Sequence, residues 1–435
     1  MLYTDISTVF GEIMKDFDNY LSHLKTLITF KSVLSAPSDN APFGLENKKA
    51  LDFFLKVASD MGFNTINYDG YAGEVYFGSG EEIGIIGHLD VVPEGIGWDT
   101  DPFTLTEKDG YLYARGILDD KSGILSCLYA LKELKDSNIT TNRKFRMFVG
   151  CNEESGWQDV EYLKSKTTMP EYGFSPDGNF PLSYAEKGMY EIAFTLNAPR
   201  EFYGVTGGTV VNAVCAYASC FAKHSPDKDA LKKFNLKLDG DKIESVGVAA
   251  HGSRPELGKN AILPLFEYFS HTGENFNDVI DYIFKDKGGI KNLKSEQGCV
   301  TLSPDLISQD GERLTLTCDL RIPAPITIDD VTAIIDTFNI PYSVVERHPP
   351  VMVEKDGWFV SALISAYNSI TGENATPISM GGSTFARAFK LGCAFGPEFA
   401  NGLGCCHEAN EHVSIEHLIK AYEIYKKAIF NLAKV

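Results

Sequence analysis

No uninterrupted apolar run in these 435 residues approaches the roughly 18 that a membrane-spanning helix requires, so no membrane partner is expected. Basic residues are also in short supply. Forty Lys and Arg face 59 Asp and Glu, for a net charge of −19, and such a surface repels nucleic acid and anionic lipid. The nine cysteines are an odd count, scattered, with no CxxC pair. That spacing argues against a disulfide framework or a zinc ribbon and for a reducing cytoplasm. The first twenty residues carry Asp5, Glu12, Asp16 and Asp18 and lack the basic region and apolar stretch of a secretory signal. What remains is a globular composition, 44% hydrophobic and 23% charged, long enough for two or three domains.

Helical spacing covers Leu2 to about Thr29 and Asn47 to about Met61 (Leu51, Phe54, Leu55, Ala58), with Gly62 placed as a stop. Ile83 to His88 is a short apolar run ending in a polar residue, the pattern of a strand buried on both faces. Phe145 to Cys151, interrupted only by Arg146, is another, and it runs into Asn152-Glu153-Glu154. Between them Ile124, Leu125, Leu128, Leu131 and Leu134 recur with helical period, so strand, helix and strand alternate as in an α/β layer. A third polar strand end follows at Ser175-Pro176-Asp177. Beyond Lys187 the texture becomes alternating, at Tyr190 to Leu196 and Arg313 to Leu320, which predicts half-exposed antiparallel strands. From about Met380 the α/β character returns, closing on Ser414 as an N-cap and a helix through Ile415, Leu418, Ile419, Tyr422, Ile429 and Leu432. The fold class read from this is α/β: an α/β domain from residues 1–187 and 380–435, interrupted by an α+β domain over 188–379.

The polar residues at the ends of the apolar strands are His88, Asp90, Asp119, Asp120, Glu153, Glu154 and Asp177. One imidazole and six carboxylates gathered at one sheet edge repel one another unless cations neutralise them. His407, in His407-Glu408-Ala409-Asn410-Glu411, offers a second imidazole from the far end of the chain. A nitrogen and oxygen donor set without thiolate suits two divalent ions, Zn²⁺ first, with Mn²⁺ or Co²⁺ able to substitute.

Several spaced segments together resemble a known family. They are Gly87-His88-Leu89-Asp90-Val91-Val92-Pro93, Gly97-Trp98 through Asp101-Pro102-Phe103, Asp109-Gly110 through Arg115-Gly116-Ile117-Leu118-Asp119-Asp120-Lys121, Asn152-Glu153-Glu154-Ser155-Gly156 and Ser175-Pro176-Asp177-Gly178. In this order they are similar to the di-zinc metallopeptidases that include aminoacylase, carnosinase and the PepV dipeptidase, with Ala114 and Ser122 standing where glycine is common. The resemblance implies that His88, Asp119 and Asp177 hold one metal and that Asp119, Glu154 and His407 hold the other, with Asp119 bridging. It implies a hydroxide shared by the two metals, with Glu153 as general base, Asp90 as the carboxylate orienting the His88 imidazole, and a cis Asp119-Asp120 bond. It further implies that His251, in Ala249-Ala250-His251-Gly252-Ser253-Arg254-Pro255, stabilises the oxyanion from the inserted lid domain, with Asn212 aimed at the same oxygen. Arg387, in Gly381-Gly382-Ser383-Thr384-Phe385-Ala386-Arg387, would grip the substrate's C-terminal carboxylate.

Against these stand ordinary alternatives. His23, His224, His271, His348 and His417 read as common surface or interior histidines, and His412 competes with His407 for the ligand position. A Gly-rich turn with Arg is often only a helix start, and Asn212 could be a turn residue. The expected function is hydrolysis of short peptides, dipeptides above all, by a monomer whose long insert supplies its own lid histidine, a homodimer being the other option. An N-acyl amino acid deacylase or carboxypeptidase would share every metal ligand, and a binding scaffold without catalysis is the contrasting class.

Overall fold

The computed structural model describes residues 16–137, 139–400 and 405–434. The expected N-terminal helix is present as Phe17–Thr29, and the part of that expectation from Leu2 to Lys15 lies outside the described residues. The chain divides into two units. One comprises Met1–Tyr184, Met352–Ile378 and Thr384–Val435, and the other Ala185–Val351 and Ser379–Ser383. The sequence reading assigned all of 188–379 to the insert, so 352–378 is a difference. The helix Trp358–Thr371 within it buries Phe359, Val360, Leu363 and Ala366 and packs against the C-terminal helix Ile415–Leu432, which ties it to the first unit.

The first unit is built on a sheet whose order begins Asn64–Tyr68, Ala72–Gly78, Arg143–Gly150, Glu81–His88, Tyr172–Ser175, Leu391–Ala394. The last four run parallel, and the first two add on antiparallel. Glu81–His88 is central and buried from Ile83 onward, which explains its unbroken apolar run. Burying each of Ile83, Ile85 and Ile86 contributes about 1.5–3 kcal/mol. Lys121–Asp136 packs against both Phe17–Thr29 and Ile415–Leu432, covering the sheet with helices. Leu45–Asp60 ends where Gly62 takes φ +80, a left-handed conformation that costs glycine little. Ser414 caps the last helix, its hydroxyl accepting the His417 N–H at 3.1 Å.

In the second unit eight antiparallel strands form one sheet, in the order Lys237–Asp239, Lys242–Val246, Tyr217–Ala222, Phe202–Gly207, Thr301–Asp310, Arg313–Ile322, Gly188–Asn197, Tyr342–His348. The two alternating segments pair with each other, Tyr190 opposite Leu320, Ile192 opposite Cys318 and Phe194 opposite Leu316. Their inward side chains join Leu265, Phe266 and Phe269 of the helix Ile262–His271 in one core. Among the described residues no helix is long and apolar enough to cross a membrane.

Candidate metal centre and active site

Three adjacent parallel strands deliver polar residues at their C-terminal ends, where ligands bind in sheets of this type. His88 ends one strand and pairs with Gly150 at the end of the next, three residues before Glu153. Asp177 follows Tyr172–Ser175 by two residues. Asp119 comes from the segment before helix Lys121–Asp136, and the Asp119-Asp120 peptide is cis. Two glycines make the crowding possible. A Cβ on Gly87 would meet Asp120 Oδ2 at 2.1 Å, and one on Gly150 would meet Asp159 Oδ2 at 2.3 Å.

The five expected ligands converge. His88 Nε2 lies 2.9 Å from Asp119 Oδ1 and 3.7 Å from Asp177 Oδ2. His407 Nε2 lies 3.0 Å from the other oxygen, Asp119 Oδ2, and 3.1 Å from Glu154 Oε2. Asp119 therefore has one imidazole on each oxygen. Ligand-type atoms of His88, Asp119 and Glu154, and of His88, Glu153 and Asp177, fall within 4.8 Å of one another. The rim is open on one side, since the His407 side chain is 54% exposed while that of His88 is fully buried. His412, the competing imidazole, is turned elsewhere: its ring stacks on Tyr113 at 5.0 Å and its Nδ1 bonds to the Asn410 carbonyl at 2.7 Å.

Electrostatics bear on whether cations fit. Burial alone would raise the Asp119 carboxyl, but hydrogen bonds from His407 and His88 outweigh it and hold the group well below the usual carboxylate range. The bonds to Asp119 and then Glu154 push His407 up to about 11. Glu153 is raised well above its ordinary value, first by burial and also by the charges of Asp177, Glu154 and Asp119. The cluster thus needs positive charge at both imidazole positions. Hard oxygen donors with two imidazoles and no thiolate are the donor set that divalent zinc or manganese accepts, so the residues present fit such ions.

Asp90 differs in one respect from its expected role. The nearer partner of His88 Nδ1 is the main-chain oxygen of Asp90 at 3.0 Å, while its carboxylate oxygen Oδ1 lies at 3.5 Å. The carboxylate instead accepts the N–H groups of Glu153 and Glu154, each at 3.1 Å, and so holds the single 3₁₀ turn Glu153–Ser155 at the strand end. Asp159 does the same one step earlier, accepting the N–H groups of Cys151 and Asn152 at 2.7 and 2.8 Å. Sequence reading overlooked Asp159. Its only signal was a charged residue in the first turn of the helix Gln158–Lys166, a common and uninformative position.

Arg387 belongs to the first unit, half-buried in the turn Phe385–Ala388. Thr384 caps that turn and the Phe385 ring stands edge-on to His88 at 6.2 Å, so the turn is anchored beside the cluster. His251 and Asn212 lie in the second unit and are neighbours there: Gly252 N–H donates to the Asn212 carbonyl at 2.6 Å, and Ala213 bridges to His251. Asn212 has φ +75, and its N–H is held at 3.0 Å by the buried Asp305. His251 Nδ1 accepts the Ser253 N–H at 3.1 Å, which leaves the proton of the neutral ring on Nε2. Burial, then the charges of Arg321 and Arg254, lowers the His251 pKa and favours that neutral form.

The sequence profile of peptidase family M20/M25/M40 matches residues 84–431. "Putative dipeptidase SH1171" of Staphylococcus haemolyticus is 31% identical over 97% of this chain and 97% of its own. "Putative dipeptidase YtjP" of Bacillus subtilis is 30% identical over 97% and 99%. The crystal structure of human carnosine dipeptidase 1 superposes with a TM-score of 0.62 over 99% of both chains, at 16% identity, a likeness of fold. An extended profile match and relatives of this identity over 97% of the chain leave one assignment: the chain belongs to peptidase family M20/M25/M40.

Proposed function

We propose that this enzyme is a metal-dependent dipeptidase that hydrolyses the peptide bond of short peptides with free amino and carboxyl ends. The observation that carries the reading is Asp119, with each carboxylate oxygen facing the Nε2 of a histidine distant in sequence, at 2.9 and 3.0 Å. His88, Asp119 and Asp177 would hold one divalent cation, and Asp119, Glu154 and His407 the other, with zinc favoured by the imidazoles and manganese or cobalt able to replace it. What such a pair supplies when bound is Lewis acidity, which polarises the carbonyl and acidifies water.

The chain's own groups do the rest. Glu153, on a turn fixed by the Asp90 carboxylate, takes the proton from the attacking water and returns it to the leaving amine. His251 donates from Nε2 to the oxygen that gains charge, assisted by the Asn212 amide. Arg387 grips the C-terminal carboxylate as a fork, while the acidic cluster attracts the free ammonium. Measuring both ends restricts the substrate to short peptides. A net charge of −19 leaves nucleic acid and anionic membrane as poor partners. Nine free cysteines, seven of them buried, suit a reducing cytoplasm. We place the protein there as a monomer.

The test is a dipeptide panel with elemental analysis of the protein as purified. Free dipeptides should be cleaved, their N-acetylated forms at least tenfold more slowly, and Glu153→Gln should lower kcat by roughly 10²–10⁴ with cations still bound. Equal cleavage of the acetylated forms would make the enzyme a deacylase or carboxypeptidase, and unchanged turnover by Glu153→Gln would end the proposed proton transfer.

A further inference from the structure

Glu411 lies four residues after His407 and is 1% exposed. Its carboxylate is surrounded by donors from one distant loop. Oε2 accepts Arg115 Nη1 at 2.7 Å and Gly116 N–H at 3.0 Å. Oε1 accepts Leu118 N–H at 2.9 Å and Asp119 N–H at 3.3 Å. Its main-chain oxygen accepts the Ala114 N–H at 3.1 Å, and from there His412–Ser414 continues as a strand beside Tyr111–Tyr113. Arg115 is itself 1% exposed, so the ion pair is closed off from water. Gly116, at φ +80 and with a Cβ position 2.7 Å from Val91 Cγ1, lets the loop turn tightly enough for its N–H groups to converge.

We propose that Glu411 is a positioning residue that sets Asp119 and His407 in register before any cation arrives. The inference rests on the proposed metal centre. A buried carboxylate taking three main-chain N–H groups and a guanidinium fixes the peptide plane that precedes Asp119, and hence the direction of its side chain. The same residue fixes the segment that carries His407. The two groups that meet at 3.0 Å therefore hang from one clamp, although 288 residues separate them. Without it, a cation would have to gather its own ligands, and the ordering cost would come out of its affinity. The Glu411 carboxylate bonds to the Asp119 main chain and not to its carboxylate, and because it orders the Asp119 and His407 segments together, its effect falls on binding of the cation held by Asp119, Glu154 and His407 more than on the one held with Asp177.

The test is a Co²⁺ titration of the full-length, metal-stripped protein, followed by the visible ligand-field bands and by calorimetry. Glu411→Gln keeps the shape, but its amide nitrogen faces two donors whichever way it is turned. The wild type should take up two equivalents. The variant should bind one equivalent roughly 10–100-fold more weakly with altered bands, the other being affected less. Glu408→Gln, which removes a charge from an exposed position of the same segment, should titrate like the wild type. If Glu411→Gln does not fold, judged by far-UV circular dichroism, Arg115→Lys keeps the charge, loses the guanidinium bond to Oε2 and should show the same order of effects. Unchanged affinities and bands for both equivalents in these clamp variants would overturn the inference while leaving the metal centre intact. Failure of the wild type itself to bind two equivalents would instead overturn the proposed centre.

Discussion

Replacing Asp90 by Asn tests the argument that a buried carboxylate holds the general base in place. Asp90 is 2% exposed, and its two oxygens each accept one N–H, from Glu153 and from Glu154, at 3.1 Å. An asparagine has one acceptor oxygen and one donor nitrogen in the same space, so one of the two N–H groups must lose its partner and face another donor. A buried donor left unpaired costs about 1–3 kcal/mol, and the surviving bond loses its charge assistance. The turn should therefore loosen, displacing Glu153 and Glu154 together. The expected outcome is a loss of about 1–3 kcal/mol in urea unfolding of the metal-free protein and a fall of roughly 10–100-fold in kcat, with KM changed less. Tryptophan fluorescence is the suitable probe, because Trp98, Trp157 and Trp358, the chain's three tryptophans, all belong to the first unit. Stability within about 0.5 kcal/mol of the wild type together with an unchanged kcat would refute the reasoning, since that is the range of a surface substitution with no structural role.

In the second unit, burial first and then the charge of Asp319 push the Asp305 carboxyl up to about 7 from 3.8. The folded state keeps this proton while the unfolded chain gives it up, so stability from this group is fully present below about pH 4 and is lost as pH rises towards 7, by at most about 4 kcal/mol. Asp305→Asn can still accept the Asn212 N–H and donate to Ser303, so its stability relative to wild type should increase between pH 4 and 8 in far-UV circular dichroism melts. A difference that stays flat with pH would contradict the assignment. Adding zinc or manganese at a hundredfold excess over Kd should stabilise the tryptophan-detected transition by about 2.7 kcal/mol per occupied site, and no shift with either ion would count against the metal centre. Ser414→Ala removes the cap bond to His417 and should lower the first unit's stability by about 1 kcal/mol in the same urea assay, an unchanged midpoint showing that the cap contributes nothing.

What was legible in the sequence was local. Ile83 to Gly87 reads as a strand covered on both faces because no polar side chain interrupts either face, and the structure buries it so. The alternation at Tyr190 to Leu196 and Arg313 to Leu320 likewise announces two half-exposed strands, and these pair with each other. Strand ends follow from where apolar runs stop, so the positions of His88, Glu153 and Asp177 at one sheet edge were foreseeable. Partner choice was not, because a carboxylate's chemistry is the same whichever donors surround it. Only the tertiary structure directs the Asp90 oxygens to the Glu153 and Glu154 N–H groups, closes the Asp119 loop around Glu411, and turns His412 onto Tyr113 while His407 meets Asp119. It also returns 352–378 to the first unit, since an apolar helix face fits either domain until a neighbour, here Ile415–Leu432, is in place to cover it. Periodicity fixes which face of an element is apolar. Which distant surface covers that face, and which donors reach a buried charge, depends on chain segments hundreds of residues apart being folded at once.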